Sequence, residues 1–114
     1  MGDDYCYLTT RGRVTGNEHE IEIWYVREAD TLYLLAGAGG ESDWVRNLQV
    51  DPVVRVRIDD VTYAGHGRVV TDTDEDRRAR TVVFEKYQPR NAGELVTWRE
   101  RALPVAIDLG PRQS

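Results

Sequence analysis

Polar and apolar side chains alternate through much of this chain, and the alternation predicts strands before any other feature is considered. Glu18 to Arg27 is the clearest case. His19, Ile21, Ile23 and Tyr25 fall on one side, and Glu18, Glu20, Glu22 and Trp24 on the other. A period of two marks a strand with one face buried. Tyr5 to Thr10 precedes it as a further strand, joined through the glycine-punctuated turn Arg11 to Asn17. Glu28-Ala29-Asp30 is a short hairpin connection into Thr31 to Ala36, a run of large apolar and aromatic residues. Val53 to Asp59 sets Val54, Val56 and Ile58 against Arg55 and Arg57, and Asp59-Asp60 turns the chain into Thr62 to Val70. Within that strand Gly65-His66-Gly67 predicts a bulge or a close backbone approach. Leu103 to Leu109 is the last predicted strand.

The period changes at three places. Gly37-Ala38-Gly39-Gly40 breaks a strand and leads into a short helix, with Ser42 placed as N-cap and Asp51-Pro52 as terminator. Thr73-Asp74-Glu75-Asp76 puts a cap and acidic residues on a helical first turn, where the helix dipole favours them. Ala79, Val82, Val83 and Tyr87 follow at helical spacing, Gln88 to Gly93 reads as loop, and Glu94 to Arg101 as another short helix. Six strands with two or three short helices, mostly joined by hairpins, predict a mainly β (α+β) fold: a small barrel with helices packed outside.

Composition narrows this further. The chain has 114 residues, 40% hydrophobic and 31% charged, the size of one domain spanning 1–114. Its net charge of −5 argues against non-specific nucleic-acid binding, although 14 arginines against the single Lys86 offer local anion sites. Cys6 is alone, which leaves no intrachain disulfide and no thiolate metal cluster. No apolar run reaches membrane-spanning length and no signal peptide opens the chain, so a reducing, cytoplasmic setting is expected. No nucleophile–base pair or metal-ligand spacing stands out. His66, between two glycines, reads as structural, and Cys6 as a small buried residue.

The turn carries the most suggestive chemistry. Gly12 and Gly16 permit backbone angles that expose N–H groups to an anion, and Arg13 adds a charge-assisted donor. A solvent-exposed hairpin with incidental arginines is the plainer reading. Glu18, Glu20 and Glu22 would repel an anion unless they face away, as the alternation places them relative to His19 and Ile21. Cross-strand pairing with Arg55, Arg57 or Arg68 would account for them without a ligand. Gly39 and Gly40, ahead of a helix N-terminus, form a second candidate anion or ring-edge site.

Taken in order, Thr9-Thr10-x-Gly12-Arg13-x-Thr15-Gly16, the following strand and hairpin, the Gly-Gly loop, Trp44-x-x-Asn47-Leu48, Asp51-Pro52 and the Val-rich strand resemble the deazaflavin-dependent nitroreductase and quinone reductase family. That family belongs to the split β-barrel superfamily, with pyridoxamine phosphate oxidase-like flavoproteins as more distant relatives. The resemblance runs from about Tyr7 to Leu109. It implies a six-stranded split barrel of the FMN/F420-binding type, a homodimer, and coenzyme F420 as cofactor, with FMN as the alternative. The implied activity is hydride transfer from reduced F420 to a quinone, nitroaromatic or other unsaturated small molecule. The cofactor then carries the chemistry while the protein binds and orients. A non-catalytic barrel that carries a cofactor or a hydrophobic ligand is the reading from a different class. On the family's pattern Gly12, Arg13, Thr15, Gly16, His19, Ile21, Gly39, Gly40, Trp44 and Asn47 would meet the cofactor. Tyr87 would orient the acceptor or donate a proton, and Trp98 would wall the acceptor's pocket. Val14 stands where the family often has lysine, His19 where it often has arginine, and Ile21-Glu22 replace an asparagine–proline pair.

Overall fold

The computed structural model describes residues 5–37, 39–87 and 96–113. Ala38, the expected loop Gln88 to Gly93 and the expected helix start at Glu94 lie outside them. The elements in chain order are β1 (Tyr5–Arg11), β2 (Glu18–Trp24), β3 (Val26–Glu28), β4 (Thr31–Ala36), a 3-10 turn (Gly39–Glu41), α1 (Asp43–Val50), β5 (Val53–Ile58), β6 (Val61–Val69), α2 (Thr73–Tyr87), α3 (Val96–Arg101) and β7 (Leu103–Gln113). The strands form one antiparallel sheet in the order β2-β1-β5-β6-β7-β4-β3.

The two outermost strands of that sheet are successive halves of one segment. Glu18–Trp24 pairs with β1, and after the single residue Tyr25, Val26–Glu28 pairs with β4. The sheet therefore curls until its ends meet at Tyr25, which is why seven strands stand where six were expected. At that joint a side chain replaces the missing ladder partner. The Tyr87 hydroxyl accepts from the Tyr25 N–H and donates to the Tyr25 carbonyl, both at 2.9 Å, and Lys86 Nζ donates to the same carbonyl at 2.7 Å.

Two layers of core follow from the alternation. Inside the curl lie Leu8, Tyr25, Leu32, Leu34, Val54, Val56, Val105 and Ile107, with Val45 and Leu48 of α1 closing one end. Outside it, Tyr33, Leu35 and Ala106 meet Ala79, Val82, Val83 and Tyr87 of α2. β4 faces both layers, so its apolar run does not alternate. Two glycines of β6 allow close packing: a Cβ at Gly67 would lie 3.3 Å from Leu48 of α1, and one at Gly65 only 2.8 Å from Ile107 Cγ2 of β7. The expected irregularity falls slightly earlier, between Tyr63 and Gly65 in the pairing with β7.

Helix starts differ in detail from expectation. Ser42 is the N-cap residue of α1, yet its side chain makes no capping bond. For α2 the cap is Asp72 rather than Thr73, since Asp72 Oδ2 accepts from the Glu75 N–H at 2.8 Å. α2 is then clamped to the sheet by Arg68. Its guanidinium donates to both carboxylate oxygens of Glu75 (2.7 and 2.8 Å) and of Asp108 (2.7 and 3.3 Å). These bonds hold both carboxyls below their ordinary titration range. Burial, followed by its bond to Glu75, pushes Tyr33 up to about 12. Burial likewise pushes Cys6 up to about 12, which keeps the thiol protonated and inert. No helix among the described residues is long and apolar enough to cross a membrane.

Candidate functional site

The turn between β1 and β2 closes on itself first. Gly12 N–H donates to the Asn17 carbonyl at 2.7 Å, and Gly16 N–H to the Gly12 carbonyl at 2.9 Å. Gly16 sits at φ +77°, a torsion few side chains tolerate. Gly12 has a second reason to lack a side chain: a Cβ there would stand 2.9 Å from His19 Nε2. The imidazole thus packs directly against the turn.

α1 then fixes the turn's arginine. Asn47 Oδ1 accepts from the Arg13 backbone N–H at 3.2 Å and from Arg13 Nη1 at 2.8 Å, while Asn47 Nδ2 donates to Thr10 Oγ1 at 3.4 Å. Asn47 and Thr10 are buried, at 4% and 2% exposure, so this chain of bonds is shielded from competing water. One helical turn earlier, Asp43 Oδ1 lies 3.3 Å from Arg13 Nη2. Residues i and i+4 share a helix face, and here they grip the same guanidinium.

Between turn, β2 and α1 opens a cavity of about 590 Å³. Its wall includes Gly12, Arg13, Thr15, His19, Ile21, Trp44 and Asn47, seven of the expected cofactor residues. Gly16 shapes the turn without lining the cavity. Gly39 and Gly40 stay apart from it, in the 3-10 turn ahead of α1, where the Gly40 carbonyl accepts from Arg46 Nε at 3.4 Å. Val14, Asn17, Glu20 and Asp43 complete much of the wall, so one arginine faces two carboxylates. The three glutamates of β2 part company: Glu18 pairs with Arg55 at 2.7 Å, Glu22 accepts from the Tyr7 hydroxyl at 3.0 Å, and Glu20 borders the cavity. The expected pairing with Arg55 is present. The expectation that alternation turns all three away from the cavity is not met, because the first half of β2 is exposed on both faces.

A second cleft of about 230 Å³ opens farther along the same strand, lined by Tyr5, Glu22, Ile23, Trp24, Leu35 and Trp98. Ile21 in the first cavity and Ile23 in the second are two residues apart, about 7 Å along a strand. Trp98 packs edge-on against Trp24 with ring centroids 5.6 Å apart. Tyr87 lines neither cavity. It is 2% exposed, stacked on Trp24 at 4.4 Å, with its hydroxyl bonded to the Tyr25 backbone. In this structure the hydroxyl expected to serve the acceptor is instead bonded at the sheet joint. Sequence reasoning passed over Tyr5, Trp24 and Thr10 as lining residues. For Asp43 the i,i+4 spacing to Asn47 was a usable signal; for Tyr5 and Trp24 there was none, because the curl of the sheet brings them to Leu35 and Trp98.

A family model described as F420H(2)-dependent quinone reductase matches residues 1–110. Among solved structures, the chain is similar to an F420-H2 dependent reductase, with TM-score 0.72 and 22% identity over 94% of each chain. It is also similar to a Listeria innocua protein described as a pyridoxamine 5′-phosphate oxidase, with TM-score 0.72 and 16% identity over 97% of this chain and 87% of that one. A third, described as a domain-swapped dimer, gives TM-score 0.74 and 23% identity over 96% of this chain and 82% of that one. The structural likenesses speak for the fold, the split barrel that the curled sheet and its joint at Tyr25 describe.

Proposed function

The chain belongs to the F420H2-dependent quinone reductase family and is an F420H2-dependent oxidoreductase, and from that premise we propose that the cavity between the turn, β2 and α1 holds the cofactor. The residues present fit such a group. The backbone N–H groups of Val14 and Thr15 take part in no intramolecular hydrogen bond among the described residues. A Cβ on the neighbouring Gly16 would meet nothing within 4 Å. Unpaired turn amides beside an arginine make an anion cradle, and the half-buried Trp44 with Ile21 offers a flat apolar wall for a ring system. The convergence of these groups on one cavity is the observation that carries the reading.

When bound, reduced F420 supplies the hydride. The protein's part is binding, orientation and exclusion of water. Arg13 and the turn amides hold the phosphate. Asn47, whose oxygen accepts from Arg13 and whose Nδ2 donates to Thr10, positions that guanidinium. His19 presents its imidazole at the cavity edge, against Gly12. The acceptor, a quinone, nitroaromatic or other flat unsaturated molecule, enters the aromatic cleft beside Trp24 and Trp98. There Tyr5 brings the phenol that Tyr87 was expected to bring, and orients the acceptor's oxygen. The protein works as a homodimer in the cytoplasm, and the homodimer reading is supported by the likeness to a structure described as a domain-swapped dimer.

The test is a fluorescence titration with oxidised F420, followed by oxidation of F420H2 with a soluble quinone. Saturable binding that Arg13→Ala weakens, and turnover that Trp98→Ala and Tyr5→Phe slow without changing cofactor affinity, are the expected results. An unchanged dissociation constant in Arg13→Ala would remove the cofactor from this cavity.

A further inference from the structure

We propose that Asp43 sets the phosphate selectivity of the cavity, favouring a singly charged phosphodiester over a doubly charged phosphomonoester. The proposal rests on the reading that this cavity holds F420.

The geometry is unusual for an anion site. Arg13 does not present an uncommitted guanidinium. One terminal nitrogen is held by Asn47 at 2.8 Å, and the other faces the Asp43 carboxylate at 3.3 Å. The Asp43 side chain is 86% exposed against 28% for Arg13, so the carboxylate stands at the mouth of the cavity, outside the guanidinium it pairs with. An anion bound by the remaining Arg13 donors therefore lies within a few ångströms of a fixed negative charge. Glu20 is the other carboxylate on the wall; it also borders an outer groove lined by Arg55 and Arg57, although Arg55 is itself paired with Glu18 at 2.7 Å. Asp43 is the carboxylate that touches the anion-binding residue itself.

A carboxylate so placed repels every phosphate, in proportion to the phosphate's charge. The phosphate of F420 bridges the ribityl chain and the lactyl group; it is a diester and carries one charge. That of FMN is a monoester, with a second pKa near 6 and a charge of about −1.5 to −2 at neutral pH. Both ligands bring a flat tricycle to the same wall, so ring stacking separates them poorly. The charge on the phosphate itself, apart from the carboxylates of the F420 tail, is what separates them. A bare Arg13 would prefer the dianion; beside Asp43 that preference is reduced. One exposed acidic residue thus turns a general flavin cradle toward the deazaflavin.

Asp43 also stands in the first turn of α1, where an acid complements the helix dipole. That structural role would leave the ratio of two ligand affinities untouched, so the ratio is the decisive readout. Dissociation constants of the purified protein for oxidised F420 and for FMN are measured at low salt and pH 7.5 in the wild type, Asp43→Asn, Arg13→Ala and Asp74→Asn. Asp74 serves as a control for bulk charge, being 92% exposed on α2. At a separation of about 6 Å in water, removing the Asp43 charge tightens a monoanion about threefold and a dianion about tenfold. The FMN-to-F420 ratio should therefore fall about threefold in Asp43→Asn and stay unchanged in Asp74→Asn. Equal tightening of both ligands, no tightening, or the same shift in Asp74→Asn overturns the selectivity proposal. If Arg13→Ala still weakens F420 in that case, the cofactor reading stands without it. If Arg13→Ala changes neither affinity, or the wild type binds neither ligand, both are overturned. Asp43→Ser, which keeps a side chain suited to a helix start, gives the same expected ratio should Asp43→Asn lose stability.

Discussion

Arg13 draws its value from what holds it. A guanidinium on a solvent-exposed turn would lose side-chain entropy on meeting a phosphate; here Asn47 has already restrained it through the backbone N–H and Nη1. Arg13→Ala should weaken F420 binding by about 1.5–3 kcal/mol, the range for hydrogen bonds to charged groups. Isothermal titration of both proteins checks this. Asn47→Leu removes the buried acceptor and the bond to Thr10 while keeping bulk. It should cost about 1–3 kcal/mol of folding stability and weaken F420 binding through a misplaced Arg13. Stability lost without any change in affinity would mean that Asn47 is only a core residue. At this scale the sequence was informative about types and poor about partners. Arg13 and Asn47 could be picked out in advance, but the bonds between them span 34 residues and no local pattern encodes them.

One element boundary organises the barrel. The segment from Glu18 to Glu28 changes partners at Tyr25, and there the Tyr87 hydroxyl does what a neighbouring strand does elsewhere. Tyr87→Phe keeps the stack on Trp24 but strips a buried N–H and carbonyl of that partner. The expected outcome is a loss of about 1–3 kcal/mol in urea unfolding with F420 affinity unchanged. A variant of wild-type stability but impaired turnover would restore Tyr87 to the chemistry. α1 depends on a different device, the missing side chain at Gly67. Gly67→Val should force Leu48 away, at about 1–3 kcal/mol for overpacking, and loosen F420 binding because Asn47 rides on the same helix. Both effects should appear together in one melting and binding series. The switch at Tyr25 was invisible in advance because the hydrophobic alternation runs through it unbroken. Pairing partners are a property of the sheet, and the strand's own residues do not register the change.

Across the whole molecule, Arg68 ties α2 to β6 and β7 through Glu75 and Asp108, and this gives stability a pH signature. Both carboxyls titrate lower in the folded protein than in the unfolded chain, first because Arg68 donates hydrogen bonds to their charged forms. Their contribution is thus complete at neutral pH and is lost as pH falls through the depressed folded values, from about pH 5 downward. All three groups are partly exposed, so screening keeps the effect modest. Urea midpoints should fall more steeply between pH 5 and pH 3 in the wild type than in Arg68→Met; parallel curves would show that the clamp carries no linkage. We further expect the chain to unfold as one domain, with tryptophan fluorescence and far-ultraviolet circular dichroism changing together. Separated transitions would argue for two folding units.

The run of residue types along the chain was enough for the strands apart from the break at Tyr25, for the two longer helices and for the identity of the turn, because periods of two and near four are local consequences of backbone geometry. It was enough, too, for the family and hence for F420. What it could not contain were the contacts made by closing a sheet: Tyr87 spent on a strand joint, Glu20 left facing the cavity while Glu18 and Glu22 found partners, Tyr5 and Trp24 gathered beside Trp98, and Asp43 set against Arg13. Each depends on distances between residues remote in sequence. Such distances exist only once the chain has curled and paired its two ends at Tyr25.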